Sequence, residues 1–116
     1  MTRAKTSPAA KTGRRDLRII GGVWRSRKIQ FLDLPGLRPT PDRVRETVFN
    51  WLQLALAGQH VLDVFAGSGA MGFEALSRGA ASLTLLERDL QQAACLREQA
   101  AKLLIEAEEM ERRVAA

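Results

Sequence analysis

The chain has no tyrosine, one cysteine, one histidine and four prolines, the last of them Pro41. Cys95 alone cannot build a disulfide framework, and its helical, alanine-rich surroundings point to a small buried apolar residue. His60 stands at a predicted strand entrance with no acid or nucleophile signal beside it, so a structural role is expected. No metal site is expected. No run of about eighteen apolar residues occurs, which argues against a membrane-spanning helix. The basic N-terminus, MTRAKTSPAAKTGRRD, lacks the apolar stretch of a secretory signal, and Pro8 and Gly13 spoil an amphipathic transit helix. A cytoplasmic protein without a membrane partner is expected.

What remains is ordinary for one small globular domain: 116 residues, 46% hydrophobic and 27% charged. The charge is uneven. Residues 1–50 hold 12 Lys+Arg against 4 Asp+Glu, and residues 51–116 hold 6 against 9, so a net +8 in front faces −3 behind. A basic front half is the electrostatic footprint of a polyanion-binding surface, and equally that of a solvated tail.

Three segments follow from local pattern. Residues 1–16, rich in Lys, Arg, Thr, Ser, Pro and Ala, cannot bury enough apolar surface to offset chain entropy and are expected to form a disordered basic tail. Residues 17–39 read as a basic β-hairpin and a loop, with turns possible at Gly21-Gly22 and at Arg25-Ser26-Arg27. Residues 40–116 read as an α/β unit. Thr40 suits a helix N-cap, Pro41 the first helical position and Asp42 the first turn; Val44, Val48, Trp51, Leu52 and Ala55 then recur at helical spacing, leaving Arg43, Arg45, Glu46 and Asn50 largely on other faces, and Gly58 ends the helix. Val61-Leu62 and Val64-Phe65 form a strand, Ala70 to Arg78 a helix with Gly79 as its stop, and Ser82 to Leu86 a second strand apolar enough to be covered on both faces. This is one βαβ unit with an expected right-handed crossover. From Leu90 onward the chain reads as helix, with a narrow stripe of Leu96, Ala100, Leu103, Ala107, Met110 and Val114.

The segment HVLDVFAGSGAMGFEALSRGA carries the chemistry. Gly67, Gly69 and Gly72 match G-x-G-x-x-G between a strand and a helix, and Glu87 closes the next strand twenty residues after Gly67. Glycines let the backbone turn sharply and approach a ligand, and a carboxylate there accepts hydrogen bonds from a ribose diol. Glu87 could instead pair with Arg88 or solvent. Asp63 decides between ligands: a carboxylate at the end of the first strand repels a dinucleotide pyrophosphate but favours the sulfonium and ammonium of S-adenosylmethionine. Its bland alternative is a strand-end acid bonded to local amides.

RIIGGVWRSRKI, GLRPTPDRVRETVFNWL and LDVFAGSGAMGFEALSRGA followed by LLERD, in this order and spacing, resemble the bacterial 16S ribosomal RNA guanine-N2 methyltransferase family over about residues 17–89. The resemblance implies a partial Rossmann-like class I methyltransferase fold with an N-terminal β-hairpin and a long C-terminal helix. It implies S-adenosylmethionine as cofactor, with Asp63, Gly67, Ser68 and Gly69 around its methionine part, Glu87 on its ribose, Phe65 as a further cofactor-binding residue, and Thr40, Pro41, Asp42 and Arg43 at the mouth of the site. Ribosomal RNA or the small ribosomal subunit becomes the expected partner. Arg18, Arg25, Arg27 and Lys28 of the hairpin would contact phosphates, and Trp24 would either stack on an unpaired base or pack beneath the hairpin. Ser26 departs from the glycine of the family's W-R-G-R; if that position needs positive φ, the turn is strained.

The family's Asn- or Asp-Pro-Pro-aromatic segment, which holds the target amine, has no counterpart here, and no catalytic residue is assigned. Only two of an expected seven sheet strands are legible. The expectation is therefore a truncated copy, inactive alone, that keeps part of the cofactor pocket and self-associates through the C-terminal helix. A noncatalytic RNA-binding or assembly fragment and a nicotinamide-binding Rossmann fragment are the alternatives.

Overall fold

The computed structural model describes residues 13–115, with side chains to residue 107. The elements in chain order are β1 (Arg14–Arg18), β2 (Lys28–Leu32), α1 (Asp42–Leu56), β3 (His60–Asp63), α2 (Ala70–Ser77), β4 (Ser82–Leu85) and α3 (Leu90–Ala115). Most of the expected tail, residues 1–12, lies outside the described residues. Arg14, Arg15 and Asp16 do not belong to a tail: they pair with Leu32, Phe31 and Gln30 in β1. Arg14 is held there by a two-pronged ion pair with Glu98 of α3, and Arg15 lies over the Phe31 ring, 5.4 Å from its centroid.

The antiparallel hairpin β1–β2 spans both candidate turns in one connection. Ile19 N donates to Arg27 O at 2.9 Å and Ser26 N to Ile19 O at 2.8 Å, so the closing turn contains Ser26, whose φ is +70°. Leu17, Ile29 and Phe31 point inward from alternate positions, as a half-buried strand pair requires. With Ile19 and Trp24 they pack on Phe73 of α2 and on Leu96 and Leu103 of α3. The α3 stripe is thus consumed by the hairpin as far as it is described. Leu96, Ala100, Leu103 and Ala107 pack within the chain, while Met110 and Val114 of the expected stripe lie outside the residues whose side chains are described.

β3 and β4 pair in parallel, Val61 with Leu83 and Asp63 with Leu85. The first strand ends at Asp63, and Val64 and Phe65 belong to the turn that follows. Both strands alternate exposed and half-buried positions. The expectation that the second strand is covered on both faces fails, because α2 covers the side carrying Leu83 and Leu85, while Ser82 and Thr84 on the other side are exposed.

α1 also differs from its pattern. Its buried residues are Arg45, Phe49 and Leu56, whereas Val44, Trp51, Leu52 and Ala55 face outward. The cap is Pro41, with ψ 150°, and no side chain caps the helix. Thr40 instead offers its carbonyl to Arg45 Nε at 3.2 Å. No helix among the described residues is long and apolar enough to cross a membrane.

Candidate cofactor crevice and basic hairpin

The glycine turn sits where the parallel strands end, outside their carboxyl ends, the place open α/β sheets reserve for ligands. Two further ladder bonds, Leu86 N to Asp63 O (2.9 Å) and Ala66 N to Leu86 O (3.0 Å), pin the turn to the end of β4. Gly69 is the N-cap of α2 at φ +84°, and a Cβ there would meet Phe73 at 2.6 Å. Gly72 serves the close approach of helix to strand: its Cβ would stand 2.6 Å from Leu85 Cδ2. Ser68 is buried, its Oγ accepting from Ala70 N at 3.2 Å.

Two cavities flank this turn and share Leu37, Phe65 and Gly67 in their walls. The smaller, about 120 Å³, is lined by Arg38, Thr40, Asp63, Ser68 and Met71 among others. The larger, about 830 Å³, reaches Glu87, Arg88 and Gln92. The structure therefore brings Thr40, Asp63, Phe65, Gly67, Ser68 and Glu87 to one crevice, with Gly69 immediately behind the turn. It does not bring Asp42 and Arg43 there. Asp42 pairs with Arg45, and Arg43 lies exposed on α1.

Burial pushes the Asp63 carboxyl above its ordinary range, the amides of Phe65 and Gly72 pull it back, and the Glu87 carboxylate raises it further. Two acids beside one turn disfavour an anionic guest and favour a cationic one. Glu87 pairs with neither Arg88 nor solvent alone. Its Oε1 accepts from Gly67 N at 2.8 Å and its Oε2 from Asp89 N at 3.0 Å, and each oxygen keeps a second lone pair for a hydroxyl donor.

On the hairpin, Arg18, Arg25 and Lys28 are exposed; Arg18 also donates to the Ser26 carbonyl at 3.2 Å. Arg27 forms an ion pair with Glu106 of α3 at 2.7 Å. Trp24 is 4% exposed and belongs to the core cluster with Phe73 and Leu103, so the packing reading fits it better than stacking on an unpaired base. His60 hydrogen-bonds Ser82 Oγ at 2.7 Å across the strand entrance, and Cys95 is buried.

Sequence pattern misses the buried polar residues. Arg45 and Glu74 form an ion pair in the core, Glu74 also receiving Arg78 Nε at 2.8 Å. Ser77 Oγ donates to the Gly21 carbonyl at 2.6 Å and accepts from Trp24 N at 3.0 Å, fastening the hairpin connection to α2. Gln92 and Gln99 of α3 offer their side-chain carbonyls to Leu32 N and Gln30 N, each at 3.0 Å. They satisfy the outer edge of β2 where another strand would otherwise add. A helix-borne amide has no periodic signal, so only the i, i+7 spacing of the two glutamines hints at a shared face.

The family model described as conserved hypothetical protein 95 matches residues 17–116. Ribosomal RNA small subunit methyltransferase D of Escherichia coli K12 is 60% identical over 78 residues, 67% of this chain and 39% of that protein. The protein of the same name from Haemophilus influenzae is 57% identical over 74 residues, 64% and 38% of the two chains. Among solved structures, a putative methyltransferase from Escherichia coli superposes with a TM-score of 0.69 at 54% identity, covering 77% of this chain and 49% of that one. A hypothetical protein of Thermus thermophilus gives 0.62 at 33% identity, covering 73% and 48%. The chain thus spans about two fifths of the length of the curated relatives it matches. Its mixed α/β architecture is a partial methyltransferase fold.

Proposed function

The chain belongs to the conserved hypothetical protein 95 family, with the small-subunit ribosomal RNA methyltransferases D among its relatives, and from that premise we propose that its crevice binds S-adenosylmethionine and its hairpin binds ribosomal RNA. The observation that carries the reading is the placement of Asp63 beside the Gly67–Gly69 turn, in a cavity that also holds Arg38. A carboxylate and a guanidinium in one small cavity suit a zwitterionic amino-acid group. The adjoining larger cavity, with Glu87 in its wall, suits a nucleoside.

When bound, S-adenosylmethionine supplies a sulfonium-activated methyl group, for which the exocyclic N2 of a guanine in small-subunit RNA is the nucleophile. The residues of this chain do the holding. Asp63 draws in the ammonium, Arg38 the carboxylate, and Glu87 accepts from a ribose hydroxyl on its free lone pairs. Arg18, Arg25 and Lys28 contribute phosphate affinity without sequence information. Alignment of amine and methyl contributes much of the acceleration in such a reaction, and the target base must be exposed or extruded. The 116 residues carry no Asn- or Asp-Pro-Pro-aromatic segment to orient the amine, so methyl transfer is assigned to a protein that includes one. The action is cytoplasmic, where the RNA is made.

Calorimetric titration with S-adenosylhomocysteine and with NADH tests this. Binding of the first and not the second, lost on Asp63→Ala, is the expected result. NADH binding alone would return the nicotinamide reading, and methylation of ribosomal RNA by the 116-residue chain would refute the assignment of transfer elsewhere.

A further inference from the structure

Both walls of the crevice are fastened to the hairpin by buried polar side chains. On one side Gln92, 1% exposed, accepts from Leu32 N of β2 through Oε1 and donates through Nε2 to the carbonyl of Gly67. On the other, Arg45 donates to the carbonyl of Thr40 and, at 3.1 Å, to that of Arg18 at the end of β1. Its counterion Glu74 accepts from the amides of Ile20 and Gly21, at 2.9 and 2.8 Å. The glycine turn and the Thr40 loop are thus each one side chain away from a hairpin strand.

Such links are stiff. A buried amide or carbonyl left without its partner bears its full desolvation cost, so β2 and the glycine turn shift together or lose a bond. Gln92 is the sharper of the two links, because it is uncharged and contacts the turn itself. Gln99 provides an internal comparison: it makes the same bond to the same strand, at Gln30 N, and among the described contacts has none to the turn.

Resting on the reading above, in which the crevice takes the cofactor and the hairpin takes RNA, we propose that Gln92 is a positioning residue that couples the two sites. A ligand seated against Gly67 fixes that carbonyl. Gln92 passes the constraint to β2, and the hairpin then presents Lys28 and its neighbours in one arrangement. Because coupling free energy is reciprocal, RNA on the hairpin tightens the cofactor by the same factor.

The test is a pair of calorimetric titrations on the 116-residue chain, S-adenosylhomocysteine with and without a saturating short RNA stem-loop bearing an unpaired guanine, and the reverse. Each ligand is expected to tighten the other by at least about fivefold. Gln92→Met, close in shape but without donor or acceptor, brings the factor to near one, and Gln99→Met leaves it at the wild-type value. A wild-type factor of one, or equal loss in the two variants, overturns the coupling while leaving both ligand assignments standing. Failure of the wild-type chain to bind S-adenosylhomocysteine at all overturns the cofactor reading and the coupling with it. A measurement free of variants stands beside these: exchange of the Leu32 amide hydrogen, bonded to Gln92, slows on adding S-adenosylhomocysteine. Unchanged exchange overturns the proposal even where Gln92→Met fails to fold.

Discussion

Arg45 Nη1 stands 3.1 Å from Glu74 Oε1, with the two residues 1% and 0% exposed. The pair is not isolated: the guanidinium also reaches Thr40, Arg18 and Asp42, and the carboxylate also reaches Arg78 and two hairpin amides. Deleting one partner strands the other charge in the core, which costs about 3–5 kcal/mol. Glu74→Ala is therefore expected to lose most of the stability of a domain this small, while Glu74→Gln, which retains one acceptor oxygen, loses less. Denaturant unfolding reads the difference. A Glu74→Ala chain with the wild-type midpoint would show that the network does not hold the hairpin to α2.

Ser26 closes the hairpin connection at φ +70°. An L-residue in that region costs about 1–2 kcal/mol, and glycine costs about 0.5–1 kcal/mol more backbone entropy on folding. The hydrogen bonds at this position, Ser26 N to Ile19 O and Arg18 to Ser26 O, use only the backbone of Ser26 and survive substitution. Ser26→Gly is expected to stabilise the chain by roughly 0.5–1 kcal/mol. A lower thermal midpoint would mean that the turn is already relaxed.

These two sites show which part of the structure is readable from the amino acids alone. The strained serine is legible only through the family resemblance, which has glycine there, because local pattern leaves the turn open between Gly21-Gly22 and Arg25-Ser26-Arg27. The glycine turn, Asp63 and Glu87 are legible because a βαβ unit places them within one short segment. Charge reads as surface, which puts Arg45 on a solvent face; the partner that buries it is 29 residues away on another helix. The same reasoning turns Val44, Trp51 and Leu52 inward, because helical period finds an apolar stripe but not what lies against it. Gln92 and Gln99 leave only their i, i+7 spacing as a signal, since an amide that caps a strand edge follows no hydrophobic period. For Trp24 the choice between stacking and packing depends on the depth of the core beneath the hairpin, which no local pattern encodes.

The two tryptophans are placed oppositely, Trp51 79% exposed and Trp24 4%. Iodide is expected to quench most of the red-shifted emission, and Trp51→Phe to leave a blue-shifted, protected signal from Trp24. Among the described residues, Trp51, Leu52 and Leu54 of α1 offer one exposed apolar surface for self-association. Sedimentation at rising concentration should show it, and Trp51→Glu should weaken it. Equal quenching of both rings, or association unaffected by Trp51→Glu, would contradict this placement.

Asp63 ties stability to pH in a direction opposite to an ion-paired acid. Burial raises its folded pKa above the ordinary aspartate value of about 3.9, so in the window between the two values the folded chain holds more protons than the unfolded one. The contribution is fully present below the unfolded pKa and is lost as pH rises through the folded pKa. Asp63→Asn removes that loss, so the variant should be the more stable chain above the window. Ligand binding runs the other way. A cationic ammonium pairs with the ionised carboxylate, so S-adenosylhomocysteine affinity should rise as pH climbs through the Asp63 titration, with proton release on binding inside the window. Calorimetry in two buffers of different ionisation enthalpy measures that release. Asp63→Asn should abolish it together with most of the affinity, and proton uptake, or affinity that falls with rising pH, would place the positive group of the ligand elsewhere.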